Sequence, residues 1–171
     1  MSIVVLRLIQ QHELLQALEL ELRCYPPEAA ATEAGFQYRF QEYPSYFWSA
    51  WSEEGELLGI ANGIRTEQES CGDEMKGSHQ GEYAGDNFCI LTIAVAPAFR
   101  RRGIAAKLLD KLIQACENEG LKAIILMCEP HLISFYEQAK FTYVGKASST
   151  HGGIEWYEMR RNLHTMEHSS E

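Results

Sequence analysis

The feature that most constrains the fold lies in the middle of the chain. Phe88 to Ala96 reads Phe-Cys-Ile-Leu-Thr-Ile-Ala-Val-Ala, an apolar run with the length of a buried strand. Pro97 ends it, and Arg100-Arg101-Arg102-Gly103 follows as a basic turn. Ile104 to Glu119 then carries Leu108, Leu109, Leu112 and Ile113 on one side, the pattern of an amphipathic helix. Gly120 stands where helices stop, and Ala123 to Met127 is a second buried strand.

The flanking segments extend this pattern. Val4 to Leu8 reads as a first strand. Gln11 to Cys24 has Leu14, Leu15, Leu18 and Leu22 at helical spacing, and it stops at Tyr25-Pro26-Pro27 because a residue before proline is pushed out of the helical region. Ala29 to Glu42, between Pro27 and Pro44, reads as a second helix. Tyr46 to Trp51 and Leu57 to Arg65 form a hairpin around Glu53-Glu54-Gly55-Glu56. Thr66 to Asp86 is a long, polar, glycine-punctuated connection. His131 to Gln138 is a short helix, and Thr142 to Lys146 with Ile154 to Arg160 is a last strand pair. The expected class is α+β, a mixed, mostly antiparallel sheet with helices on both faces. With 171 residues, no repeat and no linker, one domain over residues 1–160 is expected, followed by a polar tail from Arg161.

Composition narrows the partners. A net charge of −9 argues against nucleic acid and anionic membranes and mildly favours cationic small molecules. No apolar run approaches the ~20 residues that cross a bilayer. The start, Met1 to Arg7, lacks the pattern of a signal peptide, so a cytoplasmic protein, monomer or homodimer, is expected. Cys24, Cys71, Cys89, Cys116 and Cys128 are odd in number and lack metal-type spacing. They read as free thiols, with no metal site.

The chemistry begins with Arg100-x-x-Gly103-x-Ala105, set between a strand and a helix. First-turn helix N–H groups have no intrahelical partner and, with the helix dipole, favour an anion. Gly103 and Ala105 leave the backbone bare, and the arginines add cationic forks suited to phosphate oxygens. There is no Gly-Lys-Ser/Thr ending and no three-glycine fingerprint. A solvated basic turn before an ordinary helix would give the same short pattern. The second motif runs from Leu126-Met127-Cys128-Glu129 to Phe135-Tyr136-Glu137-Gln138-Ala139-Lys140-Phe141.

Together these motifs resemble the GNAT acetyltransferase superfamily: Thr92-Ile93-Ala94-Val95 with Arg100-x-x-Gly103-x-Ala105 is similar to its acetyl-CoA motif, and Phe135 to Phe141 to its FYxxxGF element, with Lys140 in place of the usual glycine. Leu126 to Glu129 resembles the arylalkylamine (serotonin-type) branch, and Cys24 to Ala30 and His151-Gly152-Gly153 its microbial members. The resemblance implies a GNAT fold whose two central strands splay apart. It implies acetyl-CoA as cofactor, with pantetheine paired to Ile93, Ala94 and Val95 and the pyrophosphate on Arg100, Arg101, Arg102, Gly103, Ile104, Ala105 and Ala106. It implies direct attack of a small primary amine on the thioester, and Tyr136 as the acid that protonates the CoA thiolate.

The proton acceptor is less defined. Animal members of this branch carry a histidine pair where this chain has Cys89 and Leu91. Glu33 and His151 are the first candidates in its place, then His79 and His131; a water relay is the alternative. Tyr25, Pro26 and Pro27 fall where the family places an acceptor-covering loop, and the same residues also serve as a plain helix stop. A catalytically weak acyl-CoA-binding or regulatory module, or an acetyltransferase of protein N-termini or lysines, remain the other two readings.

Overall fold

The structure is a computed structural model, and it describes residues 3–71, 85–149 and 153–163. Seven strands form one open sheet in the order β1-β2-β3-β4-β5-β7-β6. They are β1 (Val4–Leu8), β2 (Trp48–Ser52), β3 (Leu57–Thr66), β4 (Asn87–Val95), β5 (Ala123–Cys128), β6 (Thr142–Lys146) and β7 (Tyr157–Asn162). The helices are α1 (Leu14–Cys24), α2 (Glu33–Glu42), α3 (Ile104–Asn118) and α4 (Ile133–Gln138). Among the described residues only β4 and β5 pair in parallel; every other neighbouring pair is antiparallel. A parallel pair needs a long crossover, and α3 supplies it. The mixed, mostly antiparallel sheet expected from the sequence is therefore the one formed.

Two apolar clusters hold the helices to the sheet. Leu108, Leu109 and Leu112 of α3 are at most 1% exposed and join Ile64, Phe88 and Ile124 in the larger cluster. A fully buried leucine contributes about 1.5–3 kcal/mol. Leu14, Ala17 and Leu20 of α1 and Phe36 of α2 join Phe47, Ile60 and Ala94 in the second cluster. The buried face of α1 differs from the expected one: Leu15 and Leu22 are exposed, while Glu21 is fully buried. The second helix begins at Glu33 rather than Ala29, because Thr32 caps it by accepting the Gly35 N–H at 3.0 Å. β7 continues two residues past the expected domain limit, since Arg161 and Asn162 pair with Ile124 and Ala123 and Leu163 is buried behind them.

Cys71 and Cys89 form a disulfide, which corrects the reading of all five cysteines as free thiols. Cys24, Cys116 and Cys128 are the free ones. The chain leaving β3 turns back along β4, and the two Cα atoms end 6.2 Å apart, a separation a disulfide can span. Among the described residues no helix is long and apolar enough to cross a membrane, and no group of three His, Cys, Asp or Glu side chains is placed to hold a metal.

Candidate active site at the parting of two strands

β4 and β5 pair only from Asn87–Ala123 to Ile90–Leu126. Beyond that point β4 runs on to Val95 beside β3, and β5 runs on to Cys128 beside β7. A bulge lies at the same place. Asn62 faces Thr92 and Gly63 faces Ile90, so Leu91 is the extra residue on β4. A bulge bends its strand and increases its twist, here just where β4 leaves β5. Gly63 permits this approach, because a Cβ there would run into the Cys89 carbonyl oxygen.

The parting exposes one edge of β4. The Ala96 N–H bonds to the Leu58 oxygen on β3 at 2.8 Å. Strand alternation therefore turns Ala94 toward β3, where it faces Ile60, and turns Ile93 and Val95 toward the gap. The Tyr25 hydroxyl donates to the Ile93 oxygen at 3.2 Å, and Arg100 Nε donates to the Val95 oxygen at 3.1 Å. Of the three residues grouped from the sequence, geometry brings Ile93 and Val95 to the gap and leaves Ala94 out.

From Val95 the chain passes into the basic turn and α3. Arg101 (φ 65°) and Gly103 (φ 80°) are both left-handed, so the turn coils back on itself before the helix. No side chain caps α3, and its first turn is Ile104, Ala105 and Ala106, the last of these exposed. A Cβ on Gly103 would meet nothing within 4 Å, so the turn presents bare backbone to open space. Backbone N–H groups in such left-handed turns make anion-binding concavities. Arg102 lies over the Phe99 ring at 5.2 Å, which fixes its stem beside this surface.

The cleft between the parted strands is lined by Leu91, Thr92 and Ile93 from β4, Cys128 and Glu129 from the end of β5, and Tyr25, Leu132, Tyr136 and Trp156. Two tyrosines from distant segments thus meet there. Tyr136 is 6% exposed and sits edge-on to Phe135 and Phe141, with centroids 4.9 and 5.6 Å away. Burial, with a smaller push from the Cys128 thiol, holds its phenol pKa well above 10, so it keeps its proton at neutral pH. Burial raises Tyr25 likewise, reinforced by Glu21, Tyr136, Cys24 and Glu129. Cys128 is pushed up to about 11 by burial and Glu129, so it is a thiol and not a thiolate.

The other candidates fare differently. Glu33 is exposed on the first turn of α2 and lines a separate groove with Gln11, His12 and Leu15, sharing no lining residue with the cleft. Pro26 and Pro27 are exposed and do not line the cleft. His79 and His151 lie outside the described residues. His131 is exposed, with Nδ1 4.0 Å from the Glu129 carboxylate.

Behind Thr92 lies a polar cluster with no signature in the sequence. Thr92 Oγ1 donates to Glu21 Oε1 at 2.7 Å, and the Ala31 N–H donates to Glu21 Oε2 at 2.6 Å. Arg39 donates to Asn62 Oδ1 at 2.7 Å and to Thr92 Oγ1 at 3.3 Å. Glu21 and Arg39 are both at most 1% exposed. Burial brings the Arg39 pKa down to about 10, with Glu21 pulling the other way.

The profile of the acetyltransferase (GNAT) family matches residues 14–141, a span that takes in α1, the parted strands, the basic turn and Tyr136. The chain belongs to the GNAT acetyltransferase family. Serotonin N-acetyltransferase of Mesocricetus auratus is 28% identical over 114 residues, covering 66% of this chain and 54% of that protein. The chain therefore spans about half the length of the curated relatives it matches. The loading GNATL domain of CurA from Lyngbya majuscula superposes with a TM-score of 0.80 at 12% identity, over 94% of this chain and 98% of that one. Arabidopsis thaliana Naa50, solved with the bisubstrate analogue CoA-Ac-MVNAL, gives a TM-score of 0.74 at 16% identity, over 94% and 99%. At these identities the structural likeness shows the GNAT fold alone.

Proposed function

We propose that this GNAT chain is an acetyl-CoA-dependent N-acetyltransferase of small primary amines, of arylalkylamine or polyamine type. The observation that carries the proposal is the continuity of β4. The strand that opens the cleft at Leu91 beside Tyr136 leads, through a short 3-10 turn at Pro97–Phe99, into the basic turn, left-handed at Arg101 and Gly103, and the uncapped start of α3. The residues fit the cofactor. The turn offers bare N–H groups and cationic side chains to a pyrophosphate, and Ile93 and Val95 offer strand-edge groups to an amide-bearing arm.

Acetyl-CoA, when bound, supplies an acetyl group activated as a thioester. Arg101, Arg102, Gly103, Ile104, Ala105 and Ala106 hold its phosphates. Tyr25 and Trp156 wall the acceptor side, and Tyr136 holds a proton at its hydroxyl for the departing sulfur. The likeness to serotonin N-acetyltransferases supports the amine class.

The test is a thiol-release assay with acetyl-CoA against tryptamine, tyramine, phenethylamine and spermidine, run beside Tyr136→Phe. Release with one amine class is expected, with kcat lowered about 100-fold or more in the variant. Silence across the panel, with acetyl-CoA still raising the melting temperature, would overturn transfer and leave a binding role.

A further inference from the structure

Among the described residues, the cleft is lined by one charged side chain, Glu129, and its surroundings are matched to a particular kind of acceptor. Glu129 directly follows the last residue of β5, at a point where β5 no longer touches β4, so its carboxylate leaves the strand at the parting. Its side chain is 35% exposed. Among the described residues no lysine or arginine pairs with it. The nearest cationic group is His131 at 4.0 Å, which is 69% exposed and charged only when protonated. Glu129 and Tyr25 both line the cleft, from distant parts of the sequence. Trp156 and Leu132 complete an apolar wall. A half-buried carboxylate with no fixed cation, set among aromatic rings, suits an organic ammonium. It repels an acceptor that carries its own carboxylate beside the amine.

We propose that Glu129 is the specificity-determining residue for the acceptor, binding the ammonium of a cationic amine and discriminating against amino acids. The role is one of binding: the held ammonium releases one proton to water before the neutral amine attacks the thioester, and no covalent bond forms or breaks at Glu129. It rests on the transfer reading given above.

The experiment compares wild type with Glu129→Gln, which keeps size and hydrogen-bonding capacity but removes the charge. The acceptor is the amine turned over fastest in the panel, and its alcohol analogue (tryptophol for tryptamine, tyrosol for tyramine) serves as an uncharged competitive inhibitor. The KM for the amine should rise about tenfold or more, the loss expected for one charge-assisted hydrogen bond. The Ki of the alcohol, the KM for acetyl-CoA and the melting temperature should stay unchanged, and kcat should stay within about threefold. Glu129→Asp should recover part of the amine affinity. An unchanged amine KM would overturn the proposal, as would a parallel rise in the acetyl-CoA KM, which would assign the carboxylate to the cofactor arm. Wild type inert toward every amine would overturn the transfer reading itself, a result separate from these.

Discussion

Arg39→Met tests the buried cluster behind the cleft. The substitution preserves most of the apolar stem and removes the cation. Glu21, fully buried, then retains its bonds to Thr92 and Ala31 but loses the favourable interaction with the Arg39 charge in the same buried cluster. Removing one partner of a buried ion pair costs about 3–5 kcal/mol, because the remaining charge stays out of water without compensation. Domains are stable by only about 5–15 kcal/mol in total. At about 2–4 °C per kcal/mol for a domain of this size, the melting temperature should fall by roughly 6–20 °C. Thermal unfolding followed by tryptophan fluorescence measures it, and urea unfolding gives the free energy, since Trp48 and Trp51 lie on β2 against the core. Adding Glu21→Gln to Arg39→Met should restore part of the loss, because a buried pair replaced on both sides is often nearly neutral. A single variant within about 1 kcal/mol of wild type, or a double variant less stable than the single, would refute the reasoning.

Three further predictions follow from the site and its surroundings. Gly103→Ala places a Cβ at φ 80°, which should cost about 1–2 kcal/mol and, by filling the open face of the turn, weaken acetyl-CoA binding as read by calorimetry; unchanged affinity would remove the turn from the cofactor site. Because burial raises the Tyr136 pKa above its ordinary value, the phenol stays protonated through pH 9, so an alkaline fall in kcat with an apparent pKa below 10 that vanishes in Tyr136→Phe would contradict the burial seen here. Thiol titration in denaturant without reductant should find three free cysteines, and reduction of Cys71–Cys89, which are 18 residues apart, should lower stability by about 3 kcal/mol; a count of five would exclude the disulfide.

How much of this was legible in the sequence depended on whether the signal was local. The apolar run of β4, the stripe of α3 and the Phe135-Tyr136 element carry their periodicity within a few residues, and all three elements lie where the sequence puts them. The buried face of α1 departs from its leucine stripe because it includes Glu21, a carboxyl side chain where periodicity calls for an apolar residue. Its compensation comes from Arg39, eighteen residues away on another helix, which no window on α1 contains. Glu33 lies on an early helix, but its place as the first residue of α2 after the Thr32 cap, beside a separate groove, depends on packing that its neighbours in sequence do not encode. The bulge at Leu91 has no composition of its own. It arises from what Gly63, across the sheet, allows β4 to do.

The cleft itself follows from how far each strand is paired on its two edges. β4 is drawn to β3, with which it pairs from Asn87 to Val95, and β5 is drawn to β7 from Ala123 to Cys128. Each strand satisfies its outward edge for its full length, whereas the shared inner edge closes for only four residue pairs. The Leu91 bulge bends β4 away from β5 while both outer pairings are kept, so the parting is built into the folded sheet. A site opened in this way binds without first disrupting the sheet, which lowers the cost of association. It also requires that the exposed edge be occupied in the meantime. Tyr25 on the Ile93 oxygen and Arg100 on the Val95 oxygen do so, both from segments that border the cleft, and an incoming strand-like ligand would have to exchange with them.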